Sequence, residues 1–261
     1  MIQLRSAREI KLMRSAGLVV WHALQAAEKS IAVGVSTAEI DRVVEQVFIE
    51  YKAEPLFKGV PGKVPFPAAT CVSVNEQVVH GIPGARKLRE GDVVGIDTGC
   101  RLNGWCGDSA WTYPVGTISP PVVKLLQVTK QTLDLAIELV SKKRWWSEVA
   151  RDLAAFVHSH GYSVVENYCG HGLGKDMHEE PQFPNYCSKK LIANDIPLRT
   201  GLVMAIEPMV NLKRKETRVM SDHWTVATAD GSPSAHFEHT IALTADGPLI
   251  LTAPPEPGEV V

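Results

Sequence analysis

Apolar positions along the chain fall into a pattern that occurs twice. Behind Ser6-x-x-Glu9, which has the form of a capping box, Ile10, Met13, Gly17, Val20 and Leu24 return at intervals of three and four, predicting a helix near 7–31. Ser36-x-x-Glu39 repeats the signal ahead of the stripe Ile40, Val43, Val44, Val47 and Phe48, which fades near Tyr51. A Pro/Gly-rich loop at 59–67 gives way to β-favouring runs at Thr70–Val74 and Val93–Asp97, separated by the turn-like stretch Gly81–Gly84. The order then starts again. Pro120-Pro121 opens a helix through about Ser141, Ser147 reads as the cap of another through about His160, and β segments fill the remainder. Gly91–Asp97 and Gly201–Glu207 both read G-x-V-x-x-I-acid. Together these features predict an α+β fold of two related halves, about 1–115 and 116–253, each bringing an acid to a strand end. The tail 254–261 is expected to be flexible.

Composition narrows the classes. In 261 residues, 45% hydrophobic and 21% charged content describes a globular chain and excludes disorder and fibrous repeats. Lys plus Arg (27) nearly balances Asp plus Glu (29), so charge makes no case for a nucleic-acid or membrane partner. No apolar run reaches the roughly 18 residues of a membrane span, and the first residues are charged and amphipathic, so the expected address is cytoplasmic. The five cysteines, Cys71, Cys100, Cys106, Cys169 and Cys187, contain no CxxC pair and read as reduced thiols.

The chemistry lies in the acids. Asn103-Gly104 between two β-favouring runs is a hairpin signal for a two-residue type I′ turn, which places Asp97 opposite Ala110 and Gly99 opposite Asp108. Asp97 and Asp108 then share a face as diagonal neighbours, about 7–8 Å apart at the backbone and within reach of a common ion. Exposed hairpin acids would be the ordinary reading. Asp97, however, ends an apolar run, Glu207 ends another, and Glu238 sits in the strand-like Phe237–Leu243, where unpaired carboxylates are costly. His171, in Cys169-Gly170-His171-Gly172-Leu173-Gly174, adds an imidazole from a loop whose glycines permit close approach. An oxygen-rich set with one nitrogen favours a pair of Mn, Fe or Co ions over a structural zinc, with Zn or Ni also accommodated.

The stretches NEQVVHGIPG (75–84), GDVVGIDTG (91–99), GDSAWT (107–112), GHGLGKDMHEEP (170–181), AIEP (205–208) and FEHT (237–240) resemble, in this order, the methionine aminopeptidases of the single-domain bacterial type. The resemblance covers roughly residues 5–250. It implies a duplicated "pita-bread" fold, a curved antiparallel sheet with two helix pairs on its outer face. It also implies removal of the initiator methionine from nascent chains when the second residue is small. On this reading Asp97 holds one metal ion, His171 and Glu207 hold another, and Asp108 and Glu238 bridge them. A metal-activated water attacks the scissile carbonyl, Glu207 shuttles a proton, and the substrate amine lies at the metal held by Asp97. His178 serves the carbonyl oxygen and His80 the amide nitrogen, while Cys71, Phe66, Met177 and Trp224 line an apolar pocket for the methionine. Nascent polypeptide N-termini, with a transient ribosome contact, are the implied partners of a monomer.

Three features depart from the resembling sequences. Met177 stands where an aromatic residue often precedes the second histidine, the loop GVPGKVPFP (59–67) lacks the usual Tyr-His-Gly-Tyr-Pro pattern, and His236 replaces a common glutamine. By strand alternation His236 points to the same side as Glu238, as a partner of the ligands or as a filler. Two alternatives share the fold. An Xaa-Pro peptidase usually carries a further N-terminal domain, and a non-catalytic binding protein is expected to lose ligands, whereas all five are present here.

Overall fold

The computed structural model describes residues 2–261. Both capping boxes form: Glu9 accepts the Ser6 N–H and Glu39 the Ser36 N–H, each at 2.8 Å, at the starts of α1 (Ala7–Ser30) and α2 (Thr37–Tyr51). The second helix pair is α3 (Pro120–Leu139) and α4 (Trp146–Ser159). Ser147 is not the cap expected of it, because it lies inside the first turn of α4 with Trp145 at the cap position. Its N–H and hydroxyl both donate to Asp195, so the acceptor that a capping side chain would supply arrives from another segment. Trp146 fixes the entry point, its ring fully buried edge-on against Phe183 and its indole N–H donating to Pro184 O at 2.8 Å.

In the first half, β1 (Glu54–Pro55), β2 (Thr70–Val74), β4 (Val93–Leu102) and β5 (Trp105–Pro114) form an antiparallel sheet, with β3 (Gln77–Val79) leaving it for another. Asn103 and Gly104, at φ 51 and 80, make the turn, and the ladder pairs Asp97 with Ala110 and Gly99 with Asp108, as the hairpin register predicts. In the second half, β7 (Gly170–Gly172) runs between β8 (Glu179–Phe183) and β9 (Val203–Ile206), followed in space by β14 (His239–Thr244) and β15 (Gly247–Ile250). Smaller sheets join β6 (Ser163–Val164), β10 (Met209–Asn211) and β13 (Ser234–His236), and β3, β11 (Thr217–Val219) and β12 (Val226–Thr228). A short α5 (Lys189–Ala193) completes the elements.

The two halves bury separate cores. Val19, Val20, Ile40 and Phe48 of the first helix pair cover Val94 and Ile96, while Leu125, Leu133, Trp146 and Leu153 of the second cover Met204, Ile206 and Ile241. The echoed motif is structural as well, since β4 and β9 each begin two residues after a left-handed glycine, Gly91 at φ 88 and Gly201 at φ 92. Side-chain hydroxyls of β5 and β14 join the halves. Ser109 Oγ donates to Glu238 O at 2.6 Å, Thr240 Oγ1 to Asp108 O at 2.7 Å, and Thr112 Oγ1 to His236 O at 2.8 Å. The tail is docked instead of free. Arg14 of α1 donates to the Pro254 carbonyl and pairs with Glu259, so a buried guanidinium finds partners in the very residues expected to fray.

Candidate metal centre

The seam between the halves is where the acids converge. Asp108 is on β5, Glu238 lies between β13 and β14 with its N–H donating to Ala110 O at 2.8 Å, and Glu207 follows β9. His171 sits mid-way along β7, between two glycines that the packing demands: a Cβ on Gly170 would meet Ala205 O at 2.3 Å, and one on Gly172 would meet Glu180 O at 2.8 Å. Its Nδ1 faces Gly172 O at 2.9 Å, which directs Nε2 toward the acids. Donor atoms of Asp108, His171 and Glu238 all fall within 4.8 Å of one another. His171 Nε2 stands 3.7 Å from Asp108 Oδ2 and 3.7 Å from Glu207 Oε1. Asp97 joins them through the hairpin register and lines the same cavity, though outside that tight group.

This cluster is expensive as it stands. Burial is the larger cause and mutual charge the smaller in holding the Asp97, Glu207 and Glu238 carboxyls well above the usual range, and burial brings Asp108 to about 7. Burial likewise lowers the imidazoles, His171 and His80 to about 4 and His236 to about 3, so all are neutral at pH 7. Asp97 Oδ1, Asp108 Oδ1, Glu238 Oε1 and His236 Nε2 are buried with no hydrogen-bond partner. Acceptors orphaned together in one place, with neutral imidazoles beside them, fit a divalent cation, which would satisfy them and restore the ionised carboxylates.

A cavity of about 360 Å³ opens onto the cluster. Phe66, buried, meets Trp224 edge-on at 5.3 Å between ring centres, and Cys71 and Met177 complete the apolar wall with Phe57 and Val60. Burial and the Asp97 and Asp108 charges push the Cys71 thiol up, which keeps it an uncharged, apolar wall. The variant loop 59–67 is latched by Trp224, whose indole N–H donates to Val64 O at 2.7 Å while Gly62 lies under its ring. His178, exposed at the mouth, stacks edge-on with His171 at 4.4 Å. His80 holds a left-handed backbone, φ 59, a strained conformation of the kind that clusters at functional sites. Its ring meets Tyr168 at 5.5 Å and Trp224 at 6.3 Å. Tyr168, Phe57 and Val60 are wall residues that the sequence reading missed. For Tyr168 the available signal was an aromatic three residues before His171, beside the cysteine and glycine that open its loop.

The model of metallopeptidase family M24 matches residues 11–245. The chain belongs to this family. Membership makes it a metal-dependent hydrolase that uses divalent ions. It is 45% identical over 253 residues, 97% of its own length and 99% of the relative's, to methionine aminopeptidase 1 of Bacillus subtilis. A crystal structure of methionine aminopeptidase from Thermotoga maritima superposes with TM-score 0.91 at 40% identity, covering 97% of this chain and 99% of that one. Prolidase from Pyrococcus furiosus shares the fold, with TM-score 0.76 at 20% identity over 97% of this chain and 66% of that one. The duplicated α+β architecture is the pita-bread fold of these neighbours. No helix among the described residues is long and apolar enough to cross a membrane.

Proposed function

We propose that this chain removes the N-terminal methionine from nascent proteins and peptides whose second residue is small. The observation that carries the reading is an apolar pocket, walled by Phe66, Cys71, Met177 and Trp224, that opens directly onto the carboxylate–imidazole cluster. The 45% identity with the Bacillus subtilis enzyme supports the same substrate. Residues 1–253 act as one catalytic unit, because Asp97 and Asp108 come from one half and His171, Glu207 and Glu238 from the other.

Two divalent ions, Mn, Fe or Co by the hardness of the donors, would be held by Asp97 on one side and His171 with Glu207 on the other, with Asp108 and Glu238 shared. When bound, the ions supply Lewis-acid polarisation of the scissile carbonyl and an acidified water. The protein's own groups do the rest. The pocket orients the methionine so that its carbonyl lies at the cluster, and the free amine is received at the Asp97 end. His178 serves the carbonyl oxygen as negative charge develops on it. Glu207, whose burial favours proton uptake, carries the proton toward the leaving amide nitrogen, beside which His80 is held by its strained backbone and its aromatic neighbours.

The test is methionine release from Met-Ala-Ser by chelator-stripped protein, with Mn, Fe, Co or Zn restored separately. Met-Lys-Ser and an Xaa-Pro tripeptide run alongside. Metal-dependent release from Met-Ala-Ser alone is expected, whereas preferential cleavage of the Xaa-Pro substrate would overturn the assignment in favour of the prolidase-like activity.

A further inference from the structure

His236 is the polar group at the centre that this reading leaves without a task. It closes β13, and its backbone is held on both sides by one hydroxyl, the N–H donating to Thr112 Oγ1 at 2.9 Å and the carbonyl accepting from it at 2.8 Å. Its partner in the ladder is Met209 of β10. The imidazole is 4% exposed and its Nε2 has no hydrogen-bond partner, an arrangement that proteins seldom leave uncompensated.

The distances indicate what compensates it. Nε2 lies 3.6 Å from Glu207 Oε2 and 3.9 Å from Glu238 Oε2, beyond hydrogen-bond range for both. His171 Nε2 shows nearly the same spacing, 3.7 Å to Asp108 Oδ2 and 3.7 Å to Glu207 Oε1. Two donors each about 2.1 Å from one ion, subtending about 90 to 120°, stand roughly 3.0 to 3.6 Å apart. The His236–Glu207 separation of 3.6 Å meets that span, and the other three, at 3.7 to 3.9 Å, lie just beyond it, a gap that contraction about a bound cation would close. They approach Glu207 from its two different oxygens. The glutamine common at this position in the sequences the chain resembles offers only an amide, a weak donor to a transition metal, whereas imidazole is a strong one for Co, Ni and Zn.

We infer that His236 is a sixth metal-ligating side chain, a second imidazole nitrogen on the ion shared by Glu207 and Glu238. The inference rests on the proposed assignment of those two carboxylates as ligands. It makes the centre richer in nitrogen than the five-ligand set, and it therefore raises the preference for Co, Ni and Zn over Mn relative to a protein with glutamine at this position.

The probe is Co(II) added to chelator-stripped protein. In proton NMR, each coordinated imidazole contributes a solvent-exchangeable N–H resonance displaced far outside the diamagnetic range. Wild type is expected to show two and His236→Gln one. Competition with a chromogenic chelator is expected to show His236→Gln losing about tenfold or more in Co(II) affinity, since even the outer partners of a ligand are worth 10- to 100-fold, and less in Mn(II) affinity. A single displaced resonance in the wild type overturns the inference without any variant, and so does a His236→Gln protein with an unchanged resonance count. Glu238→Ala separates the two levels: Co(II) affinity equal to wild type in that variant would sink the assignment of the carboxylates themselves. A strong loss there, together with one resonance in the wild type, would sink only the role of His236.

Discussion

The carboxylate cluster makes a prediction about the protein stripped of metal by a chelator. Asp97, Glu207 and Glu238 are raised well above the ordinary range, first by burial and then by one another's charge. An acid whose folded pKa is raised keeps a proton that the unfolded chain has released, so its contribution to stability is present at low pH and is lost as pH rises through the folded value. Each proton so retained sets a slope of about −1.4 kcal/mol per pH unit. The buried histidines act in the opposite sense. His80, His171 and His239 lie at about 4 and His236 at about 3, so their contribution is lost as pH falls below the ordinary value near 6.5 and is complete by about pH 7.5. Buried thiols such as Cys106 and Cys169, both at about 11, add a loss of the same sign as the carboxyls, but they do so with or without metal. The comparison is therefore urea denaturation at pH 7.5, 8.0 and 8.5, with and without saturating Mn(II). Metal-free protein should lose stability as pH rises, by about 1.4 kcal/mol per pH unit for each carboxyl that still holds its proton. The metal-loaded slope should be flatter or reversed, because ion binding requires the ionised carboxylates. Equal slopes in the two series would refute the claim that these buried acids carry protons which a cation displaces.

Other expectations follow from single contacts. A Cβ at position 17 would lie 2.1 Å from Leu251 O, so Gly17→Ala should lower stability by roughly 1–3 kcal/mol in a thermal melt, overpacking outweighing the gain of about 1 in helix propensity; a raised Tm would contradict this. Trp224→Phe removes the indole hydrogen bond to Val64 O and loosens loop 59–67, for which about 1 kcal/mol corresponds to a KM near fivefold higher for Met-Ala-Ser with kcat within about twofold, and an unchanged KM would show that the latch does not shape the pocket. Arg14→Ala leaves the carbonyls of Leu251, Ala253 and Pro254 without their donor and removes the guanidinium partner of Glu259, which keeps only the Glu256 N–H. It should cost about 2–4 kcal/mol and speed carboxypeptidase trimming of residues 254–261, and trimming at the wild-type rate would show that Arg14 does not hold the tail.

How much of this was legible in the sequence depended on whether the deciding interaction was local. The Asn103-Gly104 turn dictates the pairing of ten residues on each side, so the convergence of Asp97 and Asp108 was readable to the residue. The capping boxes at Ser6 and Ser36 involve only the next three residues, and both form as written. Ser147 failed for the complementary reason, since its helix is capped by Asp195, which lies 48 positions away. The tail failed in the same way: PPEPGEVV has no local reason to be ordered, and the partner that orders it is Arg14, 245 positions from Glu259.

The site shows the same division. Strand alternation was enough to put His236 on the side of Glu238, but what it faces there depended on Glu207, delivered by a strand in a different sheet. Tyr168 was missed because its importance arises from the His80 ring, which reaches it from the other half of the chain. The residues themselves singled out the five carboxylate and imidazole positions, and the resemblance added Phe66, Cys71, Met177 and Trp224 of the wall without Phe57, Val60 or Tyr168, since the wall is where this sequence departs, at Met177 and along 59–67. There the physics of the molecule replaces the pattern: a tryptophan that pins a glycine-containing loop by one hydrogen bond gives the pocket its shape. A pocket built in this way can retain an apolar side chain while its loop sequence drifts, because the latch engages the backbone carbonyl of Val64 and not a particular side chain.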